Sequence, residues 1–242
     1  KGIDVLRKQT KRTEKVMLMN KVLCLYKDKN GEIWAGVEDT GLFRYEKAKN
    51  RFLPVYREMI NYTVRTILID SENNIWTGGI NGLTFLRPSD STFVIYNKIR
   101  KFPANLIMGI LEDGNKNLWV STTAGLIKCV GAVSNPLNFT THNYTLQDGL
   151  QNNHFLSYSY YKCRSGEMLF GGISGFTMFH PDSIKDDPYP PEIALTEIRI
   201  FSNPVKIGQK VSGKIILKKA LNQCSELILS YKPTVFTIEF TA

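Results

Sequence analysis

The residues able to do chemistry in this 242-residue chain are spread out rather than gathered. Three histidines, His142, His154 and His180, show no metal-ligand spacing. Four cysteines, Cys24, Cys129, Cys163 and Cys224, form no C-x-x-C pair, which excludes zinc-ribbon and thioredoxin-type chemistry and predicts free, mostly buried thiols. There is no G-x-S-x-G elbow and no phosphate-cradling glycine loop. Carboxylates are plentiful, but the recurrent ones, Asp28, Asp70 and Asp113, each stand six residues before a tryptophan, Trp34, Trp76 or Trp119. Asp followed by Gly or Asn is turn chemistry, because Asp bonds its own backbone and Gly or Asn tolerates positive φ. No catalytic residue, metal site or cofactor is therefore expected. His180, ahead of Pro181, reads as structural.

A second recurring position is polar. Asn20, Tyr62, Asn105 and Asn153 each stand two residues before an apolar strand start, Val22, Val64, Ile107 or Phe155, with Arg65 and His154 nearby. Side chains of this type either cap turns or bond a ligand's hydroxyls or carboxylate.

The elements that must position these residues repeat. VLCLYKDKNGEIWAGVEDTGLF (22–43), VRTILIDSENNIWTGGINGLTF (64–85) and IMGILEDGNKNLWVSTTAGLI (107–127) are one pattern. SYSYYKCRSGEMLFGGISGFTMF (157–179) is a looser copy, with Cys163 for the Asp and Leu169 for the Trp. The tryptophans are 42 and 43 residues apart, and Leu169 follows after 50 more. Gly41, Gly82, Gly125 and Gly175 follow the anchors by seven, six, six and six residues. A period of forty-odd residues fits four short strands with turns, which is one β-propeller blade. The tryptophans are expected in the wedge between blades, where burying one contributes on the order of 2–3 kcal/mol. The glycines are expected at sharp bends.

The organisation follows. Residues 1–187 are expected to form the C-terminal part of a propeller: the end of one blade over 1–20, then blades over 21–60, 61–102, 103–151 and 152–185. Gly2-Ile3 looks like the Gly-Leu pair of an earlier copy, so the chain is expected to start inside a blade. Asp186–Pro191, with three prolines, reads as a stiff linker. Residues 188–242 change pattern: strands are expected at Ile193–Ile200, Glu226–Ser230 and Phe236–Phe240, with a turn at Ser202–Pro204, as at the start of a β-sandwich. The fold class is all-β: a partial propeller of about four blades plus the end of a preceding one, then the start of an immunoglobulin-like sandwich.

Composition agrees with a globular chain, at 43% hydrophobic and 22% charged residues. No run of 18 apolar residues is present, so no membrane-spanning helix is expected, nor a signal peptide in KGIDVLRKQTKR. The net charge is +9, of which residues 1–20 carry +4, residues 192–242 carry +3 and the repeats only +2. A nucleic-acid footprint would cluster on one folded face, so no direct nucleic-acid binding is expected. Asn-x-Thr sequons stand at Asn61, Asn138 and Asn143 and would carry weight only in a protein from a glycosylating host.

The pattern D-x-x-G/N-x-[IL]-W-x-[GS]-x-x-x-G-L resembles the two-component regulator propeller repeat. FHPDSI, PPEIALTEIRIFSNPV and LILSYKPTVFTIEFTA resemble the Y_Y_Y domain that follows such propellers. Propeller then Y_Y_Y is similar to the end of the periplasmic sensor region of a bacterial hybrid two-component system. The resemblance implies a non-catalytic module of an inner-membrane protein, sensing a glycan-derived oligosaccharide, neutral or anionic, and inducing polysaccharide-utilisation genes. It implies a homodimer through the full ectodomain and a histidine kinase outside this chain. The family's propellers are larger and the Y_Y_Y module is cut short here, so a slice of a longer protein is expected. The alternatives are a propeller-fold polysaccharide lyase or glycosidase, which needs paired carboxylates or a His/Tyr set facing the channel, and a scaffold for protein partners.

Overall fold

The computed structural model describes residues 3–7, 12–17, 20–59, 62–97, 102–185, 194–211, 213–224, 226–229 and 235–241. The chain divides into two units, Lys1–Ile184 and Lys185–Ala242. The expected linker Asp186–Pro191 and Asn61 lie outside the described residues. Among the described residues no helix is long and apolar enough to cross a membrane.

The first unit opens with an antiparallel hairpin, β1 (Ile3–Arg7) and β2 (Arg12–Met17). Three four-stranded antiparallel meanders follow. The first is β3 (Val22–Lys27), β4 (Ile33–Val37), β5 (Gly41–Glu46) and β6 (Arg51–Pro54). The second is β7 (Val64–Ile69), β8 (Ile75–Gly79), β9 (Gly82–Arg87) and β10 (Thr92–Tyr96). The third is β11 (Ile107–Glu112), β12 (Leu118–Thr122), β13 (Gly125–Val130) and β14 (Thr140–Tyr144). The fourth sheet has three strands rather than four, β15 (Phe155–Lys162), β16 (Met168–Gly172) and β17 (Gly175–Phe179). In place of an outer strand the chain turns into a short 3-10 segment, Pro181–Ser183, capped by His180, whose Nδ1 accepts the Asp182 N–H at 3.3 Å. Neighbouring inner strands β3, β7, β11 and β15 pack consecutively, as propeller blades do.

Each Asp turn closes the same way. Asp28 Oδ1 accepts the backbone N–H of Asn30 and Glu32, while Oδ2 accepts the Trp34 indole N–H at 3.1 Å. Asp70 does the same for Glu72, Asn74 and Trp76, the indole bond being 2.9 Å. Asp113 repeats it for Asn115, Asn117 and Trp119 at 3.0 Å. The carboxylate thus satisfies two turn amides and the one polar atom of a buried indole. The sequence spacing showed the turn but not the indole bond. The fourth copy keeps the turn's backbone bond, Cys163 N–H to Glu167 O at 2.8 Å, without the indole.

Blade stacking depends on a small residue two positions after each anchor. A Cβ at Gly36 would lie 2.6 Å from the Val64 carbonyl, and one at Gly78 would lie 2.4 Å from Ile107 Cγ2. These glycines let the next blade's inner strand sit directly on β4 and β8. The contacts grow into three interblade cores. Trp34, Leu42, Val64 and Ile75 join the first and second blades, and Trp76, Leu83, Ile107 and Leu118 the second and third. Trp119, Leu126, Phe155 and Phe170 join the third and fourth. The other face of the first blade, at Ala35, Val37 and Phe43, is packed by Ile3 of the hairpin.

The second unit is a three-stranded sheet with β18 (Ala194–Ile200) between β19 (Asn203–Pro204) and β22 (Phe236–Thr241), and a hairpin of β20 (Lys210–Val211) with β21 (Lys214–Ile215). Its core is Ile198, Ile200, Val205 and Leu217. The strand expected at Glu226–Ser230 is not one over Glu226–Leu229, and Ser230 lies outside the described residues. Its apolar alternation holds, since Leu227 and Leu229 pack on this core, but among the described residues no neighbour completes a ladder for it. An immunoglobulin-like sandwich has two facing sheets; the described residues form one sheet and a hairpin.

Candidate functional site: the mouth of the inner strands

The inner strands of the first three blades carry a one-residue bulge at the same place. Between the pairs Val22↔Val37 and Cys24↔Gly36 stands Leu23, between Val64↔Gly79 and Thr66↔Gly78 stands Arg65, and between Ile107↔Thr122 and Gly109↔Ser121 stands Met108. A bulge re-aims its side chain. Arg65 is thus the charged member of a set whose other members are apolar. It is half-buried, and its Nε is enclosed with no hydrogen-bond partner among the described residues.

The fourth blade departs from this rule. Leu156–Ser159 stand between the paired residues Phe155 and Tyr160, opposite Gly171 alone. Tyr158 in this larger bulge has φ 63°, in the left-handed region that tyrosine seldom adopts. Burial pushes its phenol pKa up; Cys24 and Glu38 add to the rise and the Arg65 guanidinium opposes it. Tyr158 therefore shares one electrostatic neighbourhood with Arg65 and Glu38, from three different blades. Neither Tyr158 nor Glu38 emerged from the repeat pattern. The available signal was spacing, since Phe155 precedes its anchor by 14 residues whereas Val22, Val64 and Ile107 precede theirs by 12.

The recurring polar residues stand at the same end of each blade, and several are engaged in structure. Asn20 is exposed and donates from Nδ2 to the Glu38 carbonyl at 3.3 Å. Tyr62 is half-buried against the first interblade core, and its carbonyl accepts the Gly41 N–H at 2.9 Å. The Asn153 carbonyl accepts the Gly125 N–H at 2.8 Å and its Oδ1 accepts the Leu146 N–H at 2.6 Å. These two glycine bonds tie the first blade to the second and the third to the fourth at positive-φ bends, φ 90° and 124°. Asn105 and His154 are exposed; the His154 carbonyl accepts the Ile173 N–H at 3.2 Å. Asn20 and Asn153 therefore do turn work, whereas Arg65 keeps an unspent donor.

At the opposite, Asp-turn end, polar side chains tie neighbouring blades. Ser71 N–H donates to Glu112 Oε2 at 2.8 Å, Lys116 Nζ donates to Ser71 Oγ at 2.6 Å, and Asn115 Nδ2 donates to Asp182 Oδ1 at 2.7 Å. Lys116 Nζ also stands 3.6 Å from Glu72 Oε1, so its contacts at this end are structural ties between blades. Among the described residues no group of three His, Cys, Asp or Glu is placed to hold a metal ion.

Sheets in series, inner strands side by side and Asp-turn anchors define a β-propeller segment. The two-component regulator propeller family matches residues 18–39 and 101–124. Histidine kinase P4 of Formosa agariphila is 25% identical over 283 residues, covering 93% of this chain and 20% of that protein. The extracellular domain of the hybrid two-component system BT4673 from B. thetaiotaomicron superposes with a TM-score of 0.57 at 18% identity, over 81% of this chain and 26% of that one. Virginiamycin B lyase from Staphylococcus aureus shares the fold with a TM-score of 0.50 at 14% identity, over 73% of this chain and 61% of that one. The chain thus carries two stretches that match the two-component regulator propeller repeat and is similar over most of its length to a histidine kinase. It spans about a fifth of the curated relative's length and about a quarter of the BT4673 domain.

Proposed function

We propose that this chain is the extracytoplasmic ligand-sensing segment of a hybrid two-component histidine kinase, lying in the periplasm, and that it does no chemistry of its own. Similarity to a histidine kinase over 93% of the chain carries this reading, together with the repeat match. In it, a glycan-derived oligosaccharide binds at the mouth of the inner strands. Arg65 supplies a charge-assisted bond to a carboxylate or hydroxyl, Tyr158 a phenol edge, and Asn105 and His154 exposed polar groups at the rim. Binding changes how two sensor chains sit against each other, and the C-terminal module passes the change to a kinase outside this chain, activating polysaccharide-utilisation genes. The ligand must prefer one arrangement; a hundredfold preference corresponds to about 2.7 kcal/mol.

The second reading is a lyase, favoured by the fold shared with virginiamycin B lyase. Titrating the chain with a panel of oligosaccharides while assaying for cleavage products separates the two. Binding without products supports the sensor, turnover supports the enzyme, and neither supports a protein-interaction scaffold.

A further inference from the structure

The second unit carries a charge pattern that the blades lack. The stretch Lys206–Lys219 holds five lysines and no acidic residue. Its middle is the hairpin of β20 and β21, and its ends meet where the Gly208 N–H donates to the Leu217 carbonyl at 2.8 Å. Leu217 is buried in the core of this unit, which anchors the stretch, while Lys210, Lys214, Lys218 and Lys219 are exposed. These four lysines line one cleft of about 640 Å³, in which Glu226 is the one carboxylate. Among the described residues the ion pairs of this unit join Arg199 to Glu197 and Glu239 and involve none of these lysines. The cleft also has an apolar part that is open to solvent: Ile215 is 42% and Ile228 72% exposed. A Cβ added at Gly208 or Gly213, on either side of β20, would meet nothing within 4 Å, so both bends face open space.

We infer that this face of the second unit docks on an anionic lipid bilayer, its lysines meeting phosphate headgroups and its isoleucines entering the boundary with the acyl chains. Clustered lysines are drawn to an anionic membrane surface, and exposed apolar side chains among them add burial there. Lysine suits this geometry, because its stem covers apolar surface while the ammonium reaches outward. A nucleic-acid strand calls for aromatic faces on which bases stack, and no aromatic residue lines the cleft. An acidic peptide uses the lysines but gives Ile215 and Ile228 no apolar partner. The surface lies wholly within the second unit, so it stands or falls separately from ligand binding at the mouth.

The test is co-sedimentation of the full chain with vesicles of phosphatidylcholine alone, or with about one-third phosphatidylglycerol, at about 0.1 M salt, where charges still act over about 10 Å. The chain partitions onto the anionic vesicles and not onto the neutral ones. Lys214→Glu with Lys218→Glu weakens partitioning about tenfold or more, since each lysine near such a surface is worth about fivefold. Lys47→Glu with Lys49→Glu, the same change of net charge on exposed residues of the first unit, leaves it within about twofold. Ile215→Ser with Ile228→Ser weakens it about fivefold, as loss of apolar burial should. A thermal melt confirms that each variant is folded. Failure of the natural chain to bind the anionic vesicles overturns the inference, and so does an equal loss in the two lysine pairs. Binding that ignores the isoleucine changes and is displaced by polyglutamate at equal charge also overturns it, and assigns the face to an acidic protein instead.

Discussion

The hydroxyl of Tyr160 lies 2.8 Å from Thr66 Oγ1, so a side chain of the fourth blade bonds one of the second across the blade between them. Gly109 makes the crossing possible. A Cβ there would stand 2.3 Å from Tyr160 Cδ1, so the ring occupies the room a side chain would need. Gly109→Ala should destabilise the chain by about 1–3 kcal/mol through overpacking. Tyr160→Phe should cost about 1–2 kcal/mol, because the fully buried Thr66 hydroxyl loses its partner. Denaturant midpoints measure both, and a double mutant showing simple additivity would argue that the two act independently.

The Asp–indole bond should matter more than an ordinary turn. Asp113→Ala should lower stability by roughly 2–4 kcal/mol, since two turn amides and a buried indole N–H lose their acceptor. Asp113→Asn, which keeps one acceptor oxygen, should recover part of this. Cys163→Ala in the fourth copy should cost less than 1 kcal/mol, roughly the effect of an ordinary substitution outside such a network. Chemical denaturation of the three variants ranks them.

Alkaline pH should destabilise the fold through its buried thiols. Burial pushes the Cys24 thiol from its ordinary 9.0 up to about 12, partly offset by a bond to the Gly36 backbone. Cys129 shifts the same way, through burial alone. Folded-state pKa values above the unfolded ones mean that above pH 9 the unfolded chain releases protons the folded chain still holds. The stabilisation is complete below pH 9 and is lost as pH rises from 9 towards 12. Melting temperatures between neutral pH and pH 11 should fall, and Cys24→Ala with Cys129→Ala should flatten the early part of that fall, from a lower starting stability.

The fourth blade presents a face its predecessors bury. Phe176 is 64% exposed, whereas its repeat equivalents Leu42, Leu83 and Leu126 are at most 1% exposed. Met178 and Tyr161 are exposed beside it. A contiguous apolar face of this kind drives association. Phe176→Ser with Met178→Lys should raise solubility and lower light scattering at nearly constant stability, whereas Leu83→Ser should unfold the chain or cost several kcal/mol, roughly the penalty for a polar residue in a packed core. Equal scattering by the surface variant and the natural chain would place the association elsewhere.

Much of the architecture was readable from residue spacing. Trp34, Trp76 and Trp119 at near-constant intervals located the blades, and the glycines following them located the bends, because turn geometry and wedge packing constrain residue type strongly. The indole bond was not readable, since Asp in a turn is already explained without it. The missing ladder at Glu226–Leu229 was not readable either, because alternation reports which side chains are buried but not whether a partner strand stands alongside. At the mouth, the recurring Asn positions were found by pattern, yet Asn20 and Asn153 serve the turns. Arg65 stood out for its charge; its placement on a bulge, and the bulge that carries Tyr158, required the register of each blade.

The account rests most directly on Arg65 as a ligand-binding group in a chain that does not turn its ligand over. Isothermal titration calorimetry of the natural chain and of Arg65→Ala with digalacturonate, alongside a neutral disaccharide and a product assay, measures this. The account predicts that Arg65→Ala weakens binding of the anionic sugar by about 1.5–3 kcal/mol, the range for a charge-assisted bond, with a smaller effect on a neutral one and no cleavage of either. Unchanged affinity for the anionic sugar in the folded variant, or turnover by the natural chain, would contradict it.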